Sequence, residues 1–460
     1  MPRHVLILAA GRGTRMRTAR PKVLHRLAGL TLIEHVLRAA SRLSPATTGV
    51  VVGHQAARVE EGLAGHPSLQ FVVQAEQLGT GHAVLQAAPI FQRCEGTLVV
   101  LSGDVPLVRA DTLDRLVIAH ESASAAATVV TANVASAFGY GRIVRTAGRM
   151  SGIVEERDAS DTQRRLTEIN SGIYAFDLQP LFGALRELPR AGTVNELYLP
   201  GLVTTYRRRG LPVETVTVSD RDEVRGINSQ AELAEVGRIV RQRKNEELMA
   251  AGVTIEDPAT TYIDVDVTVG PDTIIHPGVS LEGRTTVGAG CELHSGVRIV
   301  DSVLDDDVLV RNHCVIQQSH LGVGARIGPF AHLRPETEVG ADARIGNFVE
   351  TKKTSLGRGA KAGHLTYLGD TTVGDGANVG AGTITCNYDG ANKHRTHIGE
   401  NAFIGSGTQL VAPVSVGAGA YVGAGSCITE DVPADALAVA RERQTNKADW
   451  ARTHRHSKEQ

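Results

Sequence analysis

The chain has 460 residues and a formal net charge of −2. Its length predicts two or three domains, because one hydrophobic core rarely extends over so many residues. The near-neutral charge gives no electrostatic reason to expect nucleic acid or an anionic membrane as a partner. No apolar stretch is long enough for membrane insertion, so we expect a cytoplasmic protein. The five cysteines are scattered and odd in number, and the sequence has neither a Cys-x-x-Cys pair nor Cys/His metal spacing, which argues against a disulfide framework and a zinc site.

In the first half, short aliphatic runs alternate with helical patterns. Residues 4–8, 50–52, 71–73 and 98–101 are predicted strands, and residues 32–38 belong to a predicted helix. This alternation predicts an α/β doubly wound, parallel sheet. In such folds, ligands bind outside the carboxyl ends of the strands.

A glycine loop, residues 8–16, follows the first predicted strand. Its glycines let backbone N–H groups approach an anion, while Arg15 and Lys22 add positive charge for a polyphosphate. The loop lacks the Gly-Lys-Ser/Thr of a Walker A motif, and Met16 occupies the third glycine position of a dinucleotide fingerprint. Taken alone, such a loop is more often a tight turn than a binding site.

Two oxygen donors accompany this loop. Asp104 follows the predicted strand 98–101, where a crevice is expected, and Asn228 lies far along the chain. Each has a plainer interpretation, because Asp104 suits a turn or helix cap and Asn228 suits the cap of the next helix. Together they offer the oxygen ligands that Mg²⁺ prefers.

A long polar helix follows Asn228 and is predicted to connect two halves of the chain. We place the first domain at 1–228, the linker helix at 229–252 and a repeat domain at 253–440. The polar tail, 441–460, has the composition of a segment that is disordered unless docked.

An aliphatic residue recurs at every sixth position through most of the second half. The register begins at Ile263, shifts between Ile299 and Val303, runs on to Ile345 and resumes at Ile398. A six-residue period fits neither an amphipathic helix nor an ordinary strand. It is typical of a parallel β-helix, which buries one aliphatic side chain on each face of every coil.

The register is most disturbed in residues 345–398, and repeat proteins often place functional insertions at such breaks. His364 in this stretch is either an ordinary surface histidine or a proton acceptor near neutral pH. Glu350 is a candidate to orient its ring. Nearby donors that suit either a phosphate or plain solvent are Arg334, Lys352 and Tyr367.

Several longer motifs resemble a known family. The Leu-x-x-Gly-x-Gly-Thr-Arg-Met loop with the adjacent Pro21–Lys22 is similar to sugar-phosphate nucleotidyltransferases. Residues 74–83, 139–143, 168–172 and 361–393 narrow the resemblance to one bacterial family. Its members combine N-acetylglucosamine-1-phosphate uridyltransferase with glucosamine-1-phosphate N-acetyltransferase. The resemblance covers about residues 4–445.

The resemblance implies a nucleotidyltransferase domain followed by a left-handed parallel β-helix of hexapeptide repeats. In the first domain it implies that Arg15 and Lys22 are catalytic residues that neutralise charge on the triphosphate of UTP. It also implies that Asp104 and Asn228 bind Mg²⁺. Residues implied to bind the uridine nucleotide or its sugar are Leu8, Ala9, Ala10, Gly11, Lys22, Gln74, Gly79, Thr80, Ser102, Gly103, Asp104, Gly141, Glu155, Asn170 and Asn228.

In the second domain the resemblance implies that His364 accepts a proton from the amine of glucosamine 1-phosphate, which attacks acetyl-CoA. It also implies a homotrimer whose neighbouring subunits share this site. Residues implied to bind the amino-sugar phosphate or acetyl-CoA are Arg334, Lys352, Tyr367, Asn378, Ala381, Asn387, Tyr388, Ser406, Ala424 and Arg441.

The resulting hypothesis is a bifunctional enzyme that makes UDP-N-acetylglucosamine for peptidoglycan and lipopolysaccharide synthesis. One alternative is a single-activity sugar-phosphate nucleotidyltransferase with a structural or regulatory β-helix, against which the polar stretch 361–393 argues. A second alternative is a non-catalytic scaffold that holds a nucleotide sugar as a signal. The presence of Asp104, Asn228 and His364 argues against that alternative.

Overall fold

A computed structural model of the chain describes residues 1–189 and 196–456. The last four residues of the predicted tail lie outside this described part. The chain divides into two compact units, Met1–Val240 and Arg241–Gln460. The division falls within the helix Gln230–Ala250, and the domain boundaries predicted from the sequence stay predictions.

Within the described residues, the first unit contains a nine-stranded sheet in the order β9-β5-β8-β4-β1-β2-β3, with β6 paired to β8 and to β7. Its strands are β1 Arg3–Leu8, β2 Thr47–Val52, β3 Leu69–Val73, β4 Thr97–Ser102, β5 Ala127–Asn133, β6 Arg142–Thr146, β7 Arg149–Val154, β8 Glu168–Asp177 and β9 Val213–Val218. A separate two-stranded hairpin joins Arg26–Leu27 and Leu30–Thr31.

The direction of the strands differs from the prediction in one respect. β1 lies parallel to β2 and β4, and β2 lies parallel to β3, as the βαβ alternation predicts. β8, however, is antiparallel to both β4 and β5, so the sheet is mixed rather than wholly parallel. The doubly wound α/β fold itself is confirmed.

Both faces of this sheet are covered, which explains the continuous aliphatic runs of its strands. In β1, Leu6 packs into the core on one face while Val5 and Ile7 pack into the core on the other. The helices of the first unit are α1 Leu32–Ser41, α2 Ala56–Gly62, α3 Thr80–Gln86, α4 Ala88–Phe91, α5 Ala110–Ser122, α6 Asp161–Arg164, α7 Leu178–Glu187 and α8 Gly201–Arg208, with short 3₁₀ turns at Thr14–Met16, Lys22–Leu24 and Arg221–Val224. The division between the units falls within α9 Gln230–Ala250, and α10 Trp450–His456 belongs to the second unit.

The start of α1 shows how the sequence sets these helices. The Thr31 hydroxyl accepts a hydrogen bond of 3.3 Å from the backbone N–H of Glu34. The Glu34 carboxylate accepts one of 2.7 Å from the backbone N–H of Thr31. This capping box satisfies two backbone donors and begins the helix at a defined residue.

The second unit is a β-helix whose short strands form three parallel sheets, of 11, 10 and 9 strands in the described residues. The first sheet comprises Thr254–Ile255, Ile274–Ile275, Glu292–Leu293, Leu309–Val310, Arg326–Ile327, Arg344–Asn347, Lys361–His364, Asn378–Val379, Phe403–Ile404, Tyr421–Val422 and Leu437–Ala438. The second comprises Tyr262–Ile263, Ser280–Glu282, Arg298–Val300, Val315–Gln317, His332–Leu333, Glu350–Lys352, Tyr367–Gly369, Ile384–Cys386, Gln409–Val411 and Cys427–Ile428. The third comprises Thr268–Val269, Thr286–Val287, Val303–Leu304, Ser319–Leu321, Thr337–Val339, Thr354–Leu356, Thr371–Val373, Thr396–Ile398 and Val414–Val416.

The repeat architecture is confirmed, but part of the predicted register is wrong by one residue. Val303 was expected to point inward, yet it is 43% exposed, while its neighbour Leu304 is 1% exposed. The same shift makes Val310 and Ile316 the buried residues in the next two strands, in place of their predecessors in the chain. The next inward residue after Ile299 is therefore Leu304, five residues later, and not Val303, four residues later.

A shorter corner explains these five-residue steps. Asp301 adopts a positive φ of 47°, and the buried Ser302 donates its hydroxyl to the Val300 carbonyl at 2.8 Å. Six-residue corners use a wider turn, in which Thr285 donates to the Glu282 carbonyl three residues before it. The same short corner recurs at Ser319, Thr354 and Thr371, each of which follows a residue of positive φ and donates to the carbonyl two residues back.

The coil also continues through residues 345–398, where the six-residue spacing of aliphatic residues is interrupted. Thr351, Ala362 and Thr385 occupy inward positions and are buried, so small or polar residues hide the period. Leu356 and Leu368 continue the buried core between them. The true insertion is confined to the loop between Ile384–Cys386 and Thr396–Ile398.

The corrected register predicts different costs for two adjacent truncations. Leu304→Ala should lower the free energy of unfolding by about 2–5 kcal/mol, because it leaves a cavity in the core. Val303→Ala should change it by about 0.5 kcal/mol or less, because that side chain faces solvent. Urea denaturation of both variants, followed by circular dichroism, measures the difference. Equal losses, or the opposite order, would refute this register.

Candidate functional site

The first candidate site lies at the carboxyl ends of β1 and β4. Leu8 at the end of β1 pairs with Ser102 at the end of β4, and the Gly103 N–H donates to the Leu8 carbonyl at 2.9 Å. The chain runs from β1 to β2 on one side and returns at β4 on the other. This reversal of strand order is where α/β sheets open a ligand crevice.

A cavity of about 370 Å³ occupies this crevice. It brings together ten of the predicted nucleotide-binding residues, namely Leu8, Ala9, Ala10, Gly11, Lys22, Gln74, Gly79, Thr80, Ser102 and Asp104. Its remaining lining residues, which the sequence had not assigned, are Val23, Gln77, Ala83 and Glu196.

The two predicted magnesium ligands face one cationic group. Lys22 Nζ forms an ion pair with Asp104 and donates a hydrogen bond of 3.2 Å to Asn228 Oδ1. The Ser102 hydroxyl donates to the other carboxylate oxygen of Asp104 at 2.5 Å. The side chains of Lys22 and Asp104 are only 13% and 14% exposed. A carboxylate and an amide oxygen that converge on one cation position are a donor set that fits Mg²⁺.

Hydrogen bonds hold the walls of the cavity in place. Gln74 is buried and donates from Nε2 to the Gly79 carbonyl at 3.1 Å. Gln77 donates to the Ala10 carbonyl at 2.7 Å, which ties it to the glycine loop. Gly79 has a φ of +95°, and a Cβ there would lie 2.6 Å from the Leu197 carbonyl oxygen, so only glycine fits.

Gly141, Glu155 and Asn170 form a second group in this unit, outside the lining of that cavity. The Asn170 N–H donates to the Gly141 carbonyl at 2.8 Å, and a Cβ on Gly141 would lie 3.4 Å from a Glu155 carboxylate oxygen. Asn170 also donates from Nδ2 to the Tyr174 hydroxyl at 2.7 Å. Burial raises the pKa of the Glu155 carboxyl. Their predicted sugar contacts stay predictions.

Arg15 is not among the residues that line the cavity. It is exposed in the 3₁₀ turn Thr14–Met16, which is anchored by the buried Met16. Gly13 at the start of this turn has a φ of +59°, and a Cβ there would lie 2.8 Å from Lys22 Cβ. The loop thus packs directly on Lys22, while the role of Arg15 stays a prediction.

The second candidate site surrounds His364, at the corner between the first and second sheets. His364 Nδ1 lies 2.6 Å from Asn347 Oδ1, which is one coil earlier at the same corner. Glu350, expected to orient the ring, instead accepts a hydrogen bond of 2.9 Å from Arg334. Asn347 is therefore the described partner of the histidine, and that expectation for Glu350 is wrong.

A cationic cluster lies in the second sheet, where Lys352 ends its strand, Arg334 follows the strand one coil earlier, and Lys393 approaches from the inserted loop. The Lys393 ammonium lowers the pKa of Lys352, through a hydrogen bond and through like charge, and Arg334 adds to the effect. Asp370 opposes it and accepts a hydrogen bond of 2.6 Å from Asn387 Nδ2. Three positive side chains held this close favour an anionic ligand such as a phosphate.

Tyr367 and Asn387 lie together over Gly369. A Cβ on Gly369 would be 2.7 Å from Tyr367 Cζ and 2.7 Å from Asn387 Nδ2, so the glycine makes room for both. Tyr388 is exposed in the inserted loop, where its hydroxyl donates to the Gly390 carbonyl at 2.5 Å.

The residues predicted to line the path of CoA form one column along the same corner. The Gly407 N–H donates to the Ala381 carbonyl at 2.7 Å, and the Gly425 N–H donates to the Ser406 carbonyl at 2.8 Å. Arg441 then donates from its guanidinium to the Ala424 carbonyl at 2.7 Å. Asn378 lies nearby in the first sheet, paired with Lys361 and Phe403. Their ligand contacts stay predictions.

Three family profiles match the chain in agreement with this architecture. The MobA-like NTP transferase domain matches residues 5–187. The GMPPB C-terminal domain matches residues 262–353, and six repeats of the bacterial transferase hexapeptide match residues 395–430.

Relatives of known family align over nearly the whole chain. A bifunctional protein GlmU of Pelobacter propionicus is 47% identical over 446 residues, covering 97% of this chain and 97% of the relative. Those of Koribacter versatilis and Streptococcus gordonii are 47% and 46% identical, covering 97% and 98% of this chain and 96% and 98% of the relatives. This chain belongs to the GlmU family. As a GlmU family member it is a bifunctional enzyme, a nucleotidyltransferase and an acyltransferase, as predicted.

For this GlmU family member, sequence reasoning missed Asn347, Lys393 and Gln77 as site residues, although all three lie in motifs that it noted. The separation of Asn347 and His364 by 17 residues was the available signal, since it equals one coil with a short corner. Among residues 1–189 and 196–456, none of the helices combines the length and apolar character needed to cross a bilayer.

Proposed function

We propose that this GlmU family enzyme acetylates glucosamine 1-phosphate with acetyl-CoA and then transfers UMP from UTP to the product. The final products are UDP-N-acetylglucosamine, a precursor for peptidoglycan and lipopolysaccharide, and pyrophosphate. The observation that carries the proposal is the His364–Asn347 pair at one corner of the coil, together with the cationic side chains of Arg334 and Lys352 in the sheet that follows this corner. A purely structural coil has no need of this arrangement. The proposed substrates place the enzyme in the cytoplasm.

For acetyl transfer, the contact with Asn347 assigns the proton positions on the ring. Asn347 Oδ1 can only accept, so His364 donates from Nδ1 and keeps the lone pair on Nε2 as the base. The amine of the sugar attacks the thioester carbonyl while His364 takes its proton. The C–S bond then breaks, and CoA leaves as a thiol once it receives that proton.

Binding groups for these substrates surround the base. Arg334 and Lys352 suit the phosphate of the amino sugar, with Tyr367, Asn378 and Asn387 as hydrogen-bonding partners. Tyr388 is proposed to lie at the acetyl junction. The column proposed for CoA consists of Ala381, Ser406, Ala424 and Arg441.

For uridylyl transfer, the crevice aligns two phosphates. The N–H groups of the loop at Gly11, with Lys22 and Arg15, are proposed to bind the triphosphate. Asp104 and Asn228 are proposed to hold Mg²⁺, which when bound neutralises charge on the leaving pyrophosphate. The phosphate oxygen of N-acetylglucosamine 1-phosphate attacks the α-phosphorus, and the bond to pyrophosphate breaks. That oxygen is already ionised, so positioning matters more than a base.

We further propose that the enzyme is a homotrimer that forms the acetyl-transfer site between subunits. An apolar column of exposed side chains, Phe330, Phe348 and Leu365, runs along the corner that carries His364. The rings of Phe330 and Phe348 stack with centroids 5.4 Å apart. Exposed apolar columns of this kind are typical of surfaces buried by another chain.

Two variants should separate the activities. His364→Ala should lower kcat for acetyl transfer by about 10²–10⁴-fold, because the base is lost, and leave uridylyl transfer intact. Asp104→Asn should do the reverse, because it removes charge where Mg²⁺ is proposed to bind. Acetyl-CoA consumption and pyrophosphate release measure the two rates. His397→Ala and Asp111→Asn, both exposed elsewhere, are the controls. Intact acetyl transfer in His364→Ala would rule out His364 as the base, and no acetyl transfer by the parent chain would favour a single-activity nucleotidyltransferase.

Asn347 and Glu350 should affect acetyl transfer differently. Asn347→Ala should lower kcat by up to about 100-fold, because a misplaced base loses alignment. Asn347→Asp should recover most of that loss and move the pH–rate profile upward, since a carboxylate stabilises the imidazolium. Glu350→Gln should mainly raise KM for glucosamine 1-phosphate, because Arg334, the proposed phosphate-binding residue, loses the carboxylate that holds it in place. A fall in kcat for Glu350→Gln alone would restore the sequence-based assignment.

The apolar column gives a test of the trimer. Phe348→Glu should dissociate it, because a charge in an apolar contact is costly to bury, and should reduce acetyl transfer while sparing uridylyl transfer. Analytical ultracentrifugation measures the mass in solution. Val323→Glu, an exposed apolar position on another corner, should leave the mass unchanged. A parent chain that sediments as a monomer would contradict the proposal.

A further inference from the structure

Neither proposed reaction uses a cluster of histidine and glutamate on the outer surface of the repeats. It consists of His276, Glu292 and His294, on the second and third strands of the first sheet. Among the described residues, these form the one group of three His, Cys, Asp or Glu side chains close enough to hold a metal ion, with ligand atoms within 4.8 Å of one another. Coil stacking brings them together, whereas spacing along the sequence gave no sign of them.

Both imidazoles point the same nitrogen at one carboxylate oxygen. His276 Nε2 lies 3.3 Å from Glu292 Oε1, and His294 Nε2 lies 2.9 Å from the same atom. The ring centroids are 4.9 Å apart, with an angle of 65° between the planes. The three potential ligand atoms therefore converge on one small volume.

The outer nitrogens of both rings have their own acceptors. His276 Nδ1 lies 3.0 Å from Glu256 Oε2, and His294 Nδ1 lies 3.4 Å from Asn312 Oδ1. Asn312 donates from Nδ2 to the Ser295 carbonyl at 3.5 Å, which leaves its oxygen facing the ring. When the Nδ1–H groups donate to these outer acceptors, both Nε2 lone pairs face inward. Metal-binding histidines are oriented in this way by their outer partners.

The chemistry of the donors selects a class of ion. Two imidazoles and one carboxylate suit zinc and similar transition metals, whereas Mg²⁺ and Ca²⁺ prefer oxygen alone. A tetrahedral zinc ion holds its ligands about 3.4 Å apart, with bonds of about 2.1 Å. The potential ligand atoms already lie within 4.8 Å of one another, and the side chains of His276 and His294, 26% and 28% exposed, are open to an ion from solvent.

We propose that His276, Glu292 and His294 bind one divalent transition-metal ion, best matched by Zn²⁺, with Glu256 and Asn312 orienting the two imidazoles. The ion links two successive coils of the β-helix. The site is built from residues other than those proposed for acetyl or uridylyl transfer, so it stands independently of both. This proposal departs from the sequence-based expectation of no zinc site, which considered Cys/His spacing and not histidines and a glutamate brought together by coil stacking.

Equilibrium dialysis of the full chain against ZnCl₂, with excess Mg²⁺ present, tests the proposal, and the bound zinc is counted by mass spectrometry. The parent should bind one tight Zn²⁺ per chain, and this ion should be lost in His276→Ala and His294→Ala. Glu256→Ala and Asn312→Ala should weaken binding by about 10–100-fold. The matched control is His320→Ala, an exposed histidine of the same unit whose Nε2 lies 3.1 Å from Asp305. It should bind zinc like the parent.

Two outcomes would overturn the site. One is tight zinc binding that is unchanged in His276→Ala and His294→Ala, which would place the ion elsewhere. The other is no tight zinc in the parent, which would make the cluster a set of ion pairs only. Circular dichroism and the thermal transition of each variant confirm that it is folded. A second readout is the visible spectrum of the Co²⁺-loaded chain, whose tetrahedral bands should vanish in Glu292→Gln.

Discussion

The second unit depends on inward side chains stacked from coil to coil. Most of the short strands bury an inward aliphatic side chain, such as Leu281, Ile299 or Leu333, and burial of such a side chain contributes about 1.5–3 kcal/mol. A single coil cannot exclude water from its own inward side chains, so each coil depends on the coils above and below it. Everything outside the stack, including the corners that carry chemistry, is positioned by it.

The first unit achieves similar rigidity through a sheet that is buried on both faces. Its crevice opens where β1 and β4 end side by side, so backbone pairing fixes the distance between the glycine loop and Asp104. Lys22 lies between two of the predicted ligands, since it pairs with Asp104 and donates a hydrogen bond to Asn228. A phosphate binding there enters a group of opposite charges that is already organised, and the cost of ordering these side chains falls on folding rather than on binding.

Much of this could be predicted because two signals are local. Aliphatic runs next to glycine loops define the α/β unit, and a six-residue period defines the coil. The inward position at Val303 and Leu304 could not be predicted so simply, because it depends on the length of the preceding corner, which is closed by the bond from the Ser302 hydroxyl to the Val300 carbonyl. A count of aliphatic residues gives no information about the length of a corner.

The partner of His364 was missed for a related reason. Glu350 is a stronger acceptor than Asn347 and seemed the natural choice from residue type alone. Coil geometry decides otherwise, since Asn347 occupies the same corner as His364 while Glu350 lies in the next strand and pairs with Arg334. Predicting contacts between side chains on successive coils requires the length of each corner, which the spacing of aliphatic residues does not give.

The short corners have a consequence for how this protein can change over evolution. A coil that loses one residue at a corner keeps its core, because a buried hydroxyl closes the tighter turn, as at Ser302 and Thr354. A corner can also lengthen, as the loop after Cys386 does, while the next strand returns to its place in the stack. Deletions and insertions that would shift the phase of most β-structures are thus absorbed locally. Functional residues can therefore be gained on the surface of one coil after another, while the residues of the interior stay the same.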